Sequence, residues 1–228
     1  MVGEFFYRKL VFYLRKVLFL TSKSDKLYIE FKNKFAKLPL ISLLEIQKGF
    51  PNLDKRRLFE WTKKGYIENV KRGFYRFTDQ SKSQELLYFT ANKIYSPSYI
   101  SLETALAYYQ VIPEEVFSTT SISTLNTTQI TSSLGYFSYR NLKQPLFFGY
   151  ELIQLNGLTI CMASMEKAIL DYLYLHSQLN TVGDFEALRW DKEALKQLDI
   201  ELFFDYLHLF NSKTLTKRAQ ILNKYIHD

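Results

Sequence analysis

Five cations, Lys55, Arg56, Arg57, Lys63 and Lys64, crowd a stretch whose apolar residues recur at helical spacing. On a helical projection Leu58 and Trp61 share one face with Leu53 at its edge. Arg56 and Lys63 share another, Glu60 falls between them, and Arg57 with Lys64 lies alongside. The chemistry open to such a face is the capture of a polyanion. Lys and Arg neutralise phosphates, and the guanidinium fork of Arg matches the O6 and N7 acceptors of guanine. Arg56 and Arg57, at the N-terminal end that points to base edges in helix-turn-helix docking, are the expected base readers. Lys55, Lys63 and Lys64 are expected to hold phosphates. Downstream, Lys71 and Arg72 at the tip of a β-prone hairpin and Arg76 on its return strand could follow the DNA backbone or enter the minor groove. Lys48 is a further phosphate candidate. The competing account is an i,i+4 pair between Glu60 and Lys64 with the other cations merely solvated.

Catalytic chemistry is less well provided for. There is no G-x-G-x-x-G or G-x-x-x-x-G-K-[ST] loop to cradle a nucleotide phosphate. His176, His208 and His227 lack ligand-like spacing, so core or surface roles are expected for them, and neither a metal nor a cofactor is expected. Glu166, Lys167 and Asp171 share one amphipathic helix and could form a polar site, but an acidic first turn after Ser164 accounts for Glu166 without chemistry. The chain is therefore not expected to be an enzyme.

The elements that must position the cations follow in a definite order. Tyr28 to Lys37 carries an apolar set at Ile29, Phe31, Phe35 and Leu38 and ends before Pro39. Ser42 can cap a short helix that Gly49 closes. The turn Gly49-Phe50-Pro51-Asn52 leads to a third helix, Leu53 to Lys64, which stops at Gly65. Two β-prone runs, Tyr66 to Val70 and Gly73 to Phe77, then form a hairpin through Lys71-Arg72-Gly73. Helix, helix, short turn, helix, hairpin is the order of a winged helix-turn-helix.

Beyond it, Ser81 to Gln84 offers a capping box for a helix through Ile94, and Ser101 caps Leu102 to Gln110. Short β-rich runs follow at Val116 to Ile122, Gly135 to Tyr139, Leu146 to Leu155 and Leu158 to Met162, the last two joined by the hairpin signal Asn156-Gly157. Helices return at Ser164 to His176, Lys192 to Leu209 and Leu215 to Tyr225. The expected fold class is α+β: an N-terminal winged helix-turn-helix followed by a C-terminal α+β domain with an antiparallel sheet. The expected domains are a basic amphipathic extension over 1–25, the DNA-binding domain over 26–79 and an effector domain over 80–228.

Charge follows the same division. Of the 228 residues, the first eighty carry 18 Lys and Arg against 8 Asp and Glu, a net of +10, while the remainder carry 12 against 15, a net of −3, which together give the net +7 of the chain. A basic front and a slightly acidic body point to nucleic acid or an anionic surface, although Lys-rich solvated faces also occur. An apolar content of 47% with 17% aromatics excludes a disordered chain. Cys161 has no partner for an intramolecular disulfide, which favours a reducing, cytoplasmic address. Residues 4 to 20 read as a basic amphipathic helix whose charges at Arg8, Lys9, Arg15 and Lys16 exclude a membrane span.

The segment Leu40 to Phe77, with Asp54-Lys-Arg-Arg57, Trp61, Gly65-Tyr-Ile67 and Lys71-Arg-Gly-Phe-Tyr75, resembles the winged-helix domain of the AbiEi family of antitoxins and transcriptional regulators. Ile94 to Leu106, Tyr108-Tyr109, Ile112-Pro113-Glu114, Phe137-Ser-Tyr139, Phe148-Gly149 and Ala163-Ser-Met-Glu-Lys-Ala168 with Asp171 extend the likeness. It covers Lys26 to Leu175, about two thirds of the chain. Met165 stands where the family more often has proline, and the first 25 residues have no counterpart. The resemblance implies an antitoxin of an abortive-infection pair that represses its own operon by binding double-stranded promoter DNA and counteracts a nucleotidyltransferase-like toxin. Paired half-sites would suit a homodimer or two monomers. The alternatives are a stand-alone winged-helix regulator and a basic module for a protein or membrane partner.

Overall fold

The structure is a computed structural model that describes residues 23–113 and 117–227. The amphipathic segment expected over residues 4 to 20 lies outside them. Two compact units divide the chain between Gln80 and Ser81.

In the first unit, α1 spans Lys23–Phe35, β1 Ile41–Ser42, α2 Leu43–Gly49, α3 Lys55–Lys63, β2 Ile67–Lys71 and β3 Phe74–Phe77. Helix α1 begins earlier than its apolar set suggests, and its added turn brings Leu27 against the core. Ser42 caps α2 through a capping box: its hydroxyl accepts from the Glu45 amide at 3.2 Å, and the Glu45 carboxylate accepts from the Ser42 amide at 2.7 Å. The β2–β3 hairpin gains a third strand, β1, in the order β1-β3-β2, all antiparallel. Phe31, Ile46, Leu58, Trp61, Ile67 and Phe77 form the core beneath the helices. Trp61 is fully buried, its ring 4.9 Å from that of Phe31. Aromatic packing of this kind, more than helix propensity, stabilises helices as short as α2 and α3.

In the second unit, α4 (Gln84–Ile94) leads to β4 (Ser98–Ile100), α5 (Leu102–Tyr108), β5 (Ser118–Ser123), β6 (Thr128–Thr131) and β7 (Tyr136–Asn141). Then come β8 (Tyr150–Leu155), β9 (Leu158–Ala163), α6 (Met165–Leu175), α7 (Val182–Leu188), α8 (Lys192–Leu195), α9 (Ile200–Phe210) and α10 (Lys213–His227). The six strands form one sheet, ordered β6-β7-β5-β4-β9-β8. The sheet is mixed rather than antiparallel, because β4 pairs parallel with β9 and β5 parallel with β7. Local turn signals announce hairpins, whereas a parallel junction joins segments separated by a long crossover and leaves no local mark. Asn156 and Gly157, at φ 48° and 77°, make the expected hairpin turn between β8 and β9.

Two caps differ from expectation. Ser83, not Ser81, caps α4, its hydroxyl accepting from the Leu86 amide. Ser101 stands at the N-cap of α5 without a side-chain cap bond, because its hydroxyl donates to Asp171 instead. The predicted helix from Lys192 to Leu209 is two, broken where Asp199 caps α9 through the Leu202 amide. No helix among the described residues is long and apolar enough to cross a membrane.

Candidate nucleic-acid interface

Asp54 starts α3: its carboxylate accepts from the Arg56 amide at 2.9 Å, and a negative charge at that end also suits the helix dipole. Gly65, at φ 72°, ends the helix by adopting a left-handed conformation that costs glycine nothing. With Leu58 and Trp61 turned into the core, α3 must present the opposite side to solvent. Lys55, Arg56 and Lys63 are exposed on that side. Arg72 is exposed at the tip of the β2–β3 hairpin, and Lys48 is exposed in the last turn of α2. Among the described residues no carboxylate lies within ion-pair distance of these five cations.

The other predicted cations are differently placed. Arg57 donates to Glu60 at 2.7 Å, so the pair on this helix is i,i+3 and not the Glu60–Lys64 pair. Both partners keep substantial exposure, and such surface pairs are worth only about 0–1 kcal/mol. Lys64 lies 3.6 Å from Asp25 and 5.7 Å from the ring centroid of Tyr66. Its side chain nevertheless keeps 47% of its surface exposed. Lys71 is half-buried, and burial lowers its pKa from the ordinary lysine value.

Arg76 is corrected. It is fully buried, its guanidinium donating to Glu68 at 2.6 Å and to the Gln80 carbonyl at 2.6 Å. Those contacts tie the hairpin to the chain that leaves it. A side chain enclosed in this way has no surface to offer a phosphate.

Sequence reasoning passed over Phe59, which is 63% exposed on α3 with the Lys63 ammonium 4.7 Å from its ring centroid. The helical projection carries the signal, since Phe59 falls on the outward side only about 60° from Arg56.

The expected polar trio on α6 separates. Glu166 accepts from the Asp199 amide at 3.1 Å, at the start of α9. Lys167 and Asp171 pair with each other and are joined by two residues that the sequence did not single out. Tyr99 accepts from the Lys167 ammonium and donates to Asp171, both at 2.9 Å, and Ser101 donates to Asp171 at 2.9 Å. All four side chains are fully enclosed. Burial lowers the Lys167 pKa and raises that of Asp171, while their mutual attraction opposes both shifts. Gly149, at φ 68°, lets the loop before β8 close over this cluster, since a Cβ there would stand 3.0 Å from the Lys167 Cγ and 2.9 Å from a Tyr206 ring carbon. The arrangement suits a structural brace between α6 and β4 better than a site that a substrate enters.

Other chemistry is sparse among the described residues. No group of three or more His, Cys, Asp and Glu side chains could hold a metal ion. Burial pushes the Cys161 thiol up to about 11, away from the thiolate form a nucleophile needs.

What the geometry defines is a mixed α+β protein whose first unit carries a helix with outward cations and a hairpin with an exposed arginine at its tip. No protein-family model matches the chain, and no curated protein matches it.

Proposed function

We propose that the first unit is a winged helix-turn-helix that binds double-stranded DNA, with α3 as the recognition helix in the major groove and the β2–β3 hairpin as the wing. The observation that carries the reading is the outward set of Lys55, Arg56 and Lys63 on α3, with Arg72 and Lys48 exposed on the elements around it. Arg56 is the first base reader, Arg57 joins it by leaving Glu60, and Lys48, Lys55, Lys63 and Arg72 anchor phosphates. Lys64 and Lys71 contribute field more than contact.

The test is a gel shift with the promoter region of the chain's own operon at fixed ionic strength. Arg56→Ala combined with Arg57→Ala is expected to weaken specific binding by about 10- to 100-fold, the scale of one or two lost guanine forks, with native far-UV circular dichroism. Unchanged affinity in that double variant would remove α3 as the recognition helix.

The second unit, on the resemblance to the AbiEi family alone, is proposed to serve an antitoxin whose partner is a nucleotidyltransferase-like toxin, making the chain an autorepressor of its operon. Coexpression with its genomic neighbour and measurement of the copurified mass tests direct contact. Recovery of the chain alone, with toxicity of the neighbour undiminished, would defeat the antitoxin role and leave a stand-alone regulator.

A further inference from the structure

We infer that Phe59 is a specificity-determining residue that packs against the C5 methyl group of a thymine next to the guanine read by Arg56. The inference rests on the DNA-binding reading of α3.

Exposed aromatic residues standing singly are ordinary on protein surfaces. The setting of this one is what points to a ligand. Lys55, Phe59 and Lys63 follow one another at i, i+4 and i+8, so the ring stands in the middle of one ridge of α3 with a cation on either side. Both lysines are exposed, Phe59 keeps 63% of its surface, and Arg56 stands on the neighbouring ridge. The Lys63 ammonium lies over the ring at 4.7 Å, which holds that cation beside the apolar spot.

A complement to this face must present negative charge around a small apolar group. A second copy of the same face cannot, because Lys55, Arg56 and Lys63 would meet their own kind. The major groove can. Phosphates line both of its edges, and the thymine C5 methyl is the apolar group that it displays among the base acceptors. Spacing agrees as well. Three residues along a helix advance roughly 4.5 Å, comparable to the 3.4 Å between successive bases of one strand, which places Phe59 over a step adjacent to the one Arg56 reaches.

The experiment selects sites for the full-length chain from a duplex library randomised over two helical turns. Each thymine of the selected site is then replaced singly by deoxyuridine, which removes the methyl and nothing else. The wild-type chain is expected to lose about fourfold in affinity at one thymine beside a selected guanine, the effect of one buried methyl group. Phe59→Ala should bind the thymine and uracil duplexes equally at that position, while still binding DNA and melting like the wild type. Phe59→Leu, which keeps apolar contact, should retain part of the discrimination and covers the case in which the alanine variant folds poorly. Equal affinity of the wild type for every uracil duplex, or undiminished discrimination in Phe59→Ala, overturns the inference and leaves the DNA-binding reading standing. A chain that enriches no site, and whose duplex binding does not depend on Arg56 and Arg57, overturns both.

Discussion

Lys167→Met is expected to lower the unfolding free energy by about 3–5 kcal/mol, the range found when one partner of a buried ion pair is removed, as read from the midpoint and slope of a urea titration. Removing the ammonium leaves the Asp171 carboxylate enclosed, with the Tyr99 and Ser101 hydroxyls, each 2.9 Å away, as its remaining donors. Contact with aromatic faces is lost too, since the ammonium sits 5.0 Å from the ring centroids of both Phe148 and Phe210. The penalty arises from the stranded charge more than from a large intrinsic value of the pair. Adding Asp171→Asn to Lys167→Met should therefore recover part of the loss. A loss below about 1 kcal/mol in the single variant, as for an exposed pair, would mean that water reaches the cluster and that its role as a brace is wrong.

Arg76→Ala is expected to cost about 2–4 kcal/mol, somewhat less than a wholly enclosed pair because Glu68 retains 21% of its side-chain surface. The consequence for function separates two roles that the sequence alone leaves merged. A buried strut, when removed, takes the proposed DNA binding away together with the helical signal and the cooperative melt of the first unit. A phosphate contact takes away affinity and leaves the fold intact, as the Arg56 and Arg57 variants should. If Arg76→Ala melts like the wild type and yet binds DNA more weakly than the wild type, the buried assignment fails and Arg76 returns to the proposed interface.

The hairpin gives the physical reason that Arg76 is buried rather than exposed on the return strand. Lys71 pairs with Phe74, and a regular ladder would continue with Asn69 opposite Arg76. Instead the register shifts between Asn69 and Lys71, which brings Glu68 opposite Arg76 as a cross-strand pair of opposite charge. One inserted residue moves every later partner, and no propensity announces it. The same limit applies to Lys64. The sequence leaves it either a phosphate holder or the i,i+4 partner of Glu60, but Glu60 bonds Arg57 and Lys64 approaches Asp25 from α1, thirty-nine residues away in the chain.

Signals that act over a few residues were legible. Ser42, Gly65 and the Asn156-Gly157 turn stand where the sequence puts them, because a cap or a positive φ is satisfied by near neighbours. The outward placement of Arg56 and Lys63 was legible too, since burial of Leu58 and Trp61 settles which side of α3 faces water. What only the tertiary structure decided was which charges find partners: the withdrawal of Arg76, the approach of Lys64 to Asp25, the gathering of Tyr99 and Ser101 around Lys167 and Asp171, and the parallel junctions of the sheet. Periodicity tells a side chain which face it is on, but enclosure of a charge depends on what a distant strand brings to that face, and in a dry interior that encounter governs whether a cation binds a ligand or holds the fold.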